Sequence, residues 1–135
     1  MNVMYYNYDG KRILVSCHFL IFIKKEGRTI MIHIYIGDGK GKTTAAIGLV
    51  IRNLGRDGKI LFAQFLKNSE TGEINVLTKL DGITFFRPQM RHKGFIFNLN
   101  DNQLDQIRED IEKGFRQIED IIYNNRFSLI VLDEI

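Results

Sequence analysis

In the segment Gly37-Asp38-Gly39-Lys40-Gly41-Lys42-Thr43-Thr44, glycines alternate with lysines and are followed by two hydroxyls. Glycines let a backbone curl tightly enough to turn successive N–H groups toward one centre. A helix starting where the curl ends adds its own free N–H groups and the positive end of its dipole. Such a nest lacks acceptors, and phosphate oxygens supply them. Lys42 is then placed to reach the β- and γ-phosphates of a nucleotide, and the Thr43 hydroxyl to ligate Mg²⁺ between phosphate oxygens. Read instead as a plain glycine turn with a helix cap, the segment crowds Lys40 and Lys42 together without a counter-ion, which favours the anion site. The strict phosphate-loop pattern needs a glycine five residues before Gly41. Ile36 stands there, so the loop is one residue tighter and Gly37 takes that glycine's part.

A second chemical pair, Asp133–Glu134, closes an almost wholly apolar run over residues 127–132. An acid at such a strand end, beside a phosphate loop, can hold Mg²⁺ directly or through water, and its neighbour can orient a substrate group. Alone, a strand-end acid is as often a helix cap. Together with the upstream loop, the pair points to a nucleotide site at the carboxyl ends of parallel strands.

The elements that must position these residues are legible in the patterning. Residues 32–36 form a short β-branched run, residues 43–54 a helix closed by Gly55, and residues 59–65 a second strand. Residues 73–80 read as a short helix and residues 82–86 as a third strand, ending before Pro88, the single proline. Asn100–Asp101 offers an N-cap, after which Leu104, Ile107, Ile111, Phe115, Ile118 and Ile122 recur at spacings of three and four. That stripe is a core face, and Arg108, Glu109, Glu112, Lys113, Arg116 and Glu119 fall mostly on the wet faces as solvation. The apolar run over residues 127–132 is expected to be covered on both faces in the middle of a parallel sheet. Alternation of strands and helices gives an α/β fold with a mostly parallel sheet flanked by helices. Residues 1–30 read differently from the rest and are set apart as an additional N-terminal segment, with Met31 the start of a nucleotide-binding domain running to residue 135. Within them, residues 13–23 are rich in β-formers and are expected to add one more buried strand.

Bulk properties narrow the classes. With 135 residues there is room for one domain and one sizeable core. Hydrophobic residues at 44% and charged residues at 26% are ordinary for a soluble globular chain. A net charge of +3 and a pI near 9.0 suit anionic ligands but are too diffuse to argue for nucleic acid. Cys17 is alone and forms no internal disulfide, and no Cys/His cluster has metal-ligand spacing, so a reducing cytoplasm is the default. The apolar run over residues 13–23 is far shorter than the roughly 20 residues needed to cross a bilayer. Lys11 and Arg12 before it suit a signal peptide, but Lys24-Lys25-Glu26-Gly27-Arg28 stands where a small-residue cleavage site belongs.

The same residues resemble a known family, the P-loop ATP:corrinoid adenosyltransferases of cobalamin biosynthesis and salvage. The short loop with its extra lysine, continuing into Ala45 and Ala46, is similar to that family's own loop. Gln64-Phe65-Leu66-Lys67 resembles its Gln-Phe-Ile-Lys segment, Gly72–Glu73 its Gly-Glu pair, and Gly94-Phe95-Ile96-Phe97 a Gly-Phe-x-Trp element with phenylalanine in place of tryptophan. Leu132-Asp133-Glu134-Ile135 matches its Leu-Asp-Glu-Leu. The resemblance implies a P-loop NTPase fold of RecA-like type and transfer of the 5′-deoxyadenosyl group of ATP to the cobalt of a reduced corrinoid, with release of triphosphate. It implies that ATP lies along Gly37, Asp38, Gly39, Lys40, Gly41, Lys42, Thr43 and Thr44, with Arg52 close to the nucleotide. Mg²⁺, or Mn²⁺ in its place, falls to Thr43 and Asp133, while Lys42 and Glu134 serve the chemistry. Phe95 and Phe97 would pack against the corrin. A reductant such as a flavoprotein, and pairing of subunits as a homodimer, come with the same likeness, whereas nucleic acid and membrane do not. The family's sequences continue beyond their Leu-Asp-Glu segment, so the C-terminal part of the fold is expected to be missing here. Two other readings stay open: another P-loop ATPase or kinase, and an inactive nucleotide-binding fragment.

Overall fold

The computed structural model describes residues 4–8, 11–15, 19–23, 31–36, 40–66, 71–91 and 100–135. Chain order gives strands β1 (Met4–Tyr8), β2 (Lys11–Val15), β3 (Phe19–Ile23) and β4 (Met31–Ile34), then helix α1 (Lys42–Leu54) and strand β5 (Ile60–Gln64). Helix α2 (Gly72–Leu77), strand β6 (Ile83–Phe86), helix α3 (Asp101–Asn124) and strand β7 (Leu129–Asp133) complete it.

β1 and β2 form an antiparallel ribbon, and the other strands form one sheet in the order β4-β3-β7-β5-β6. β6, β5 and β7 run parallel, as the α/β reading requires. β3 is antiparallel to both β7 and β4, so β4 runs in the same direction as the parallel three and β3 alone is reversed. The run over residues 13–23, read from sequence as one added strand, is divided between β2 and β3, which belong to different sheets. β-propensity marks such residues as strand-forming but carries no information on where one strand stops or whom it pairs with.

Every residue of β5 and of β7 is buried, the burial expected of strands covered on both faces. Alternation divides them between two cores. Ile60, Phe62, Leu129 and Val131 face Ala46 and Val50 of α1 and Ile74 and Leu77 of α2. Leu61, Ala63, Ile130 and Leu132 face Ile107, Ile111 and Ile118 of α3, with Phe65 among them. Each helix thus lies where its apolar stripe meets a strand face, giving three layers. α3 begins at a capping box: Gln103 N donates to Asn100 Oδ1 at 2.9 Å and Asn100 N donates to Gln103 Oε1 at 3.1 Å. No helix among the described residues is long and apolar enough to cross a membrane.

Candidate functional site

Strand register assembles a polar row at one level of the sheet. β5 and β7 pair with Gln64 opposite Asp133, and β5 and β6 pair with Ala63 opposite Phe86, so Arg87 comes level with Gln64. By alternation Gln64 and Asp133 fall on the face that α1 covers, and Arg87 on the face of Phe85, whose ring centroid lies 5.5 Å from the guanidinium carbon. Gln64 and Asp133 have no solvent exposure at all. A polar group so buried costs free energy unless it is hydrogen-bonded. Gln64 Nε2 donates to Asp133 Oδ2 at 2.7 Å, and the Arg87 guanidinium donates through Nη2 to Gln64 Oε1. Arg87 Nε is buried with no hydrogen-bond partner among the described residues.

The start of α1 meets this row from above. Gly41 adopts φ 106°, a left-handed conformation that favours glycine, and Ala45 N donates to its carbonyl at 2.8 Å. No side chain caps the helix and its first turn carries no acid of its own, so the negative charge facing the dipole's positive end comes from outside the helix, at Asp133. The first backbone donors of a helix have no intrahelical acceptor. Thr43 Oγ1 donates to Asp133 Oδ1 at 3.5 Å, the outer limit of a hydrogen bond, and joins the loop to the strand end. Lys42 and Thr43 are half-buried, while Lys40 and Thr44 are exposed. Gly37, Asp38 and Gly39 lie outside the described residues.

β7 ends with Glu134 at φ 57°, a positive value that non-glycine residues seldom take. The backbone there stays tied to the continuation of β5: Phe65 N donates to Asp133 O at 3.0 Å and Leu66 N to Glu134 O at 3.1 Å. Glu134 is half-buried beside the row. Arg52 is not brought to this cluster. It sits exposed in the last turn of α1, ten residues beyond Lys42 and so about 15 Å further along the axis.

Phe95 and Phe97 lie outside the described residues, but the chain leading toward them is fastened to α3. Pro88 packs against Gly114 so closely that a Cβ on the glycine would come 2.8 Å from the proline Cβ. Arg91 N donates to Asp110 Oδ2 and Arg91 Nε to Asp110 Oδ1, each at 2.8 Å, and Arg91 Nη2 donates to Gln106 O and Glu109 Oε2. The hydrogen bond with Glu109 above all, with Asp110 adding to it, holds the Arg91 guanidinium above its ordinary pKa.

Sequence reasoning placed Thr43 and Asp133 in one site, and the structure puts them in contact. It assigned no role to Gln64 as a partner of Asp133, nor any to Arg87 or to the Arg91–Asp110 clamp. A signal existed for Gln64, a polar residue closing the apolar strand Ile60-Leu61-Phe62-Ala63. Among the described residues no group of three or more His, Cys, Asp or Glu side chains could hold a metal ion.

Comparison of the sequence with known proteins gives the chain a family. A model described as ATP:corrinoid adenosyltransferase BtuR/CobO/CobP matches residues 28–135. The corrinoid adenosyltransferase of Escherichia coli is 32% identical over 108 residues, covering 78% of this chain and 51% of that protein. Corrinoid adenosyltransferase CobA of Salmonella typhimurium is 32% identical over 114 residues, covering 82% and 54%. An uncharacterized protein of Nostoc sp. is 30% identical over 125 residues, covering 84% of this chain and 32% of its own length. The chain therefore spans about half the length of the corrinoid adenosyltransferases it matches. No solved structure matches it. Matched over 108 residues of its 135, the chain belongs to the ATP:corrinoid adenosyltransferase family.

Proposed function

We propose that the chain binds ATP at the start of α1 and serves transfer of the 5′-deoxyadenosyl group to Co(I) of a corrinoid, with release of triphosphate. The observation that carries this reading is the uncapped N-terminus of α1, entered through Gly41, with Thr43 set against Asp133 at the carboxyl end of the central strand. Strand, tight turn and helix in that order are the context a phosphate loop needs. Four strands sharing one direction suit a P-loop NTPase core of RecA-like type. In this scheme the nucleotide-binding domain takes in β3 as well as residues 31–135, because β3 pairs with both β4 and β7.

The electron pair of Co(I) attacks C5′ of ATP. The Co–C5′ bond forms as the C5′–O5′ bond breaks, and the pair of that bond leaves on triphosphate. Cobalt is the nucleophile, so the chain needs no general base. Its task is to align C5′ and to stabilise the leaving charge. Backbone N–H groups at the start of α1, with Lys40 and Lys42, receive the phosphate oxygens. Glu134, thrown out of line by its positive φ, orients the nucleoside. Phe95 and Phe97 supply an apolar wall against the corrin, and reduction of cobalt falls to a separate reductant such as a flavoprotein. Arg52 stands outside this set.

Thr43 and Asp133 fit a bound Mg²⁺. A hydroxyl and a carboxylate oxygen are donors that Mg²⁺ takes, and these two stand 3.5 Å apart, so Thr43 and Asp133 would together hold it. Two protein oxygens with the remainder from phosphate and water is the usual manner in which Mg²⁺ is held, and bound Mg²⁺ would add neutralising charge at the phosphates. The test is release of triphosphate from ATP by the full chain under reducing conditions. Release that requires a corrinoid is the expected result; formation of ADP without one would replace this reading by that of an ordinary ATPase or kinase.

A further inference from the structure

We infer that Gln64 and Arg87 are positioning residues for the acid of this site: together they fix the rotamer of Asp133 that presents one carboxylate oxygen to Thr43. The inference rests on the proposed ATP and Mg²⁺ site and adds to it a residue of β5 and the residue that follows β6.

Asp133 has two oxygens with different tasks. Oδ2 is taken up by Gln64 Nε2 at 2.7 Å, which leaves Oδ1 as the oxygen directed at Thr43. The Gln64 amide is itself prevented from turning over, because its Oε1 accepts from Arg87 Nη2. Were the amide flipped, its oxygen would face the carboxylate and its NH₂ group would face the guanidinium, two repulsive contacts in place of two attractive ones. Arg87 is held in turn with its guanidinium over the Phe85 ring. The arrangement is a chain of one-way hydrogen bonds running from the end of β6, across β5, to the end of β7, at a single level of the sheet. Its middle member is wholly buried on a strand whose other residues are apolar. An aliphatic side chain there could fill the volume but not donate to Asp133 Oδ2, so what the amide adds is a directed hydrogen bond that orients the carboxylate.

The experiment titrates Mg²⁺ against binding of a fluorescent ATP analogue to the full chain. Variants are Gln64→Met, Arg87→Met, Asp133→Asn and the double variant Gln64→Met/Asp133→Asn, each checked by thermal melting. Gln64→Met is expected to raise the Mg²⁺ midpoint about tenfold, and Arg87→Met, which leaves the Gln64–Asp133 bond in place, about threefold. The double variant should shift the midpoint no further than Asp133→Asn alone, because the two act through one carboxylate. Additive shifts, or a Gln64→Met protein that binds less nucleotide at every Mg²⁺ concentration with its midpoint unmoved, would overturn the inference and leave a structural role. Should Gln64→Met fail to fold, an unmoved midpoint in Arg87→Met overturns it equally. An unmoved midpoint in Asp133→Asn would instead remove the Mg²⁺ site itself and this inference with it.

Discussion

Glu134 offers a separation of backbone strain from side-chain function. Its φ of 57° is matched by one other non-glycine residue among those described, Asp57 at 56°, which lies exposed in the turn after α1 with its N–H donating to Leu54 O at 2.9 Å. An L-residue at such an angle brings Cβ against the following carbonyl, at a cost of about 1–2 kcal/mol, and glycine's looser unfolded chain takes back about 0.5–1 kcal/mol of what removing Cβ gains. Comparing Glu134→Gly with Glu134→Ala cancels the contacts of the longer side chain and leaves this backbone difference, about 1 kcal/mol in favour of glycine. Unfolding entropy of about 2.1 cal/mol/K per residue converts that, over 135 residues, to a Tm about 3–4 °C higher. Asp57→Gly against Asp57→Ala should show the same gap. Activity should divide the two positions: both variants at residue 134 are expected to lose corrinoid-dependent triphosphate release by tenfold or more, whereas both at residue 57 keep it. Differential scanning calorimetry and the release assay read the two quantities on the same samples. A Glu134→Gly protein melting below Glu134→Ala, with the expected order kept at residue 57, would refute the idea that strain is stored at the site. Full activity in either variant at residue 134 would refute the role of the carboxylate.

Other outcomes follow from single contacts. Lys42→Ala removes a charge-assisted interaction worth about 1.5–3 kcal/mol, so equilibrium binding of ATP should weaken about ten- to hundredfold; unchanged affinity would dismiss the phosphate loop. Gly114→Ala, which in most helix interiors stabilises, should here destabilise by about 1–3 kcal/mol in urea unfolding, because the new Cβ meets a rigid proline ring at 2.8 Å. A gain in stability would mean that Pro88 is free to move away from α3.

How much of this could be read in advance depended on whether the deciding interaction was local. Gly41, Lys42 and Thr43 announced the entry into a helix, because a left-handed glycine and a helix start are properties of a few consecutive residues. The start of α3 was legible for the same reason: Asn100 caps three residues ahead and Gln103 answers it. The reversal of β3 was not, since pairing with β4 and β7 is a choice among strands far apart in sequence. Arg91 and Asp110 likewise meet across a separation of 19 residues, and Asp110 is buried beside the apolar stripe rather than in it. Gln64 falls between these cases. Burying an amide without partners costs about 1–3 kcal/mol, so a glutamine closing the strand Ile60–Gln64 demands a donor and an acceptor close by. The sequence therefore implied that partners existed; only the parallel register, which sets Asp133 on one side of Gln64 and Arg87 on the other, says which residues they are. A site built across neighbouring strands is for this reason half legible: each strand-end polar residue marks itself, and the row they form appears once the strands are aligned.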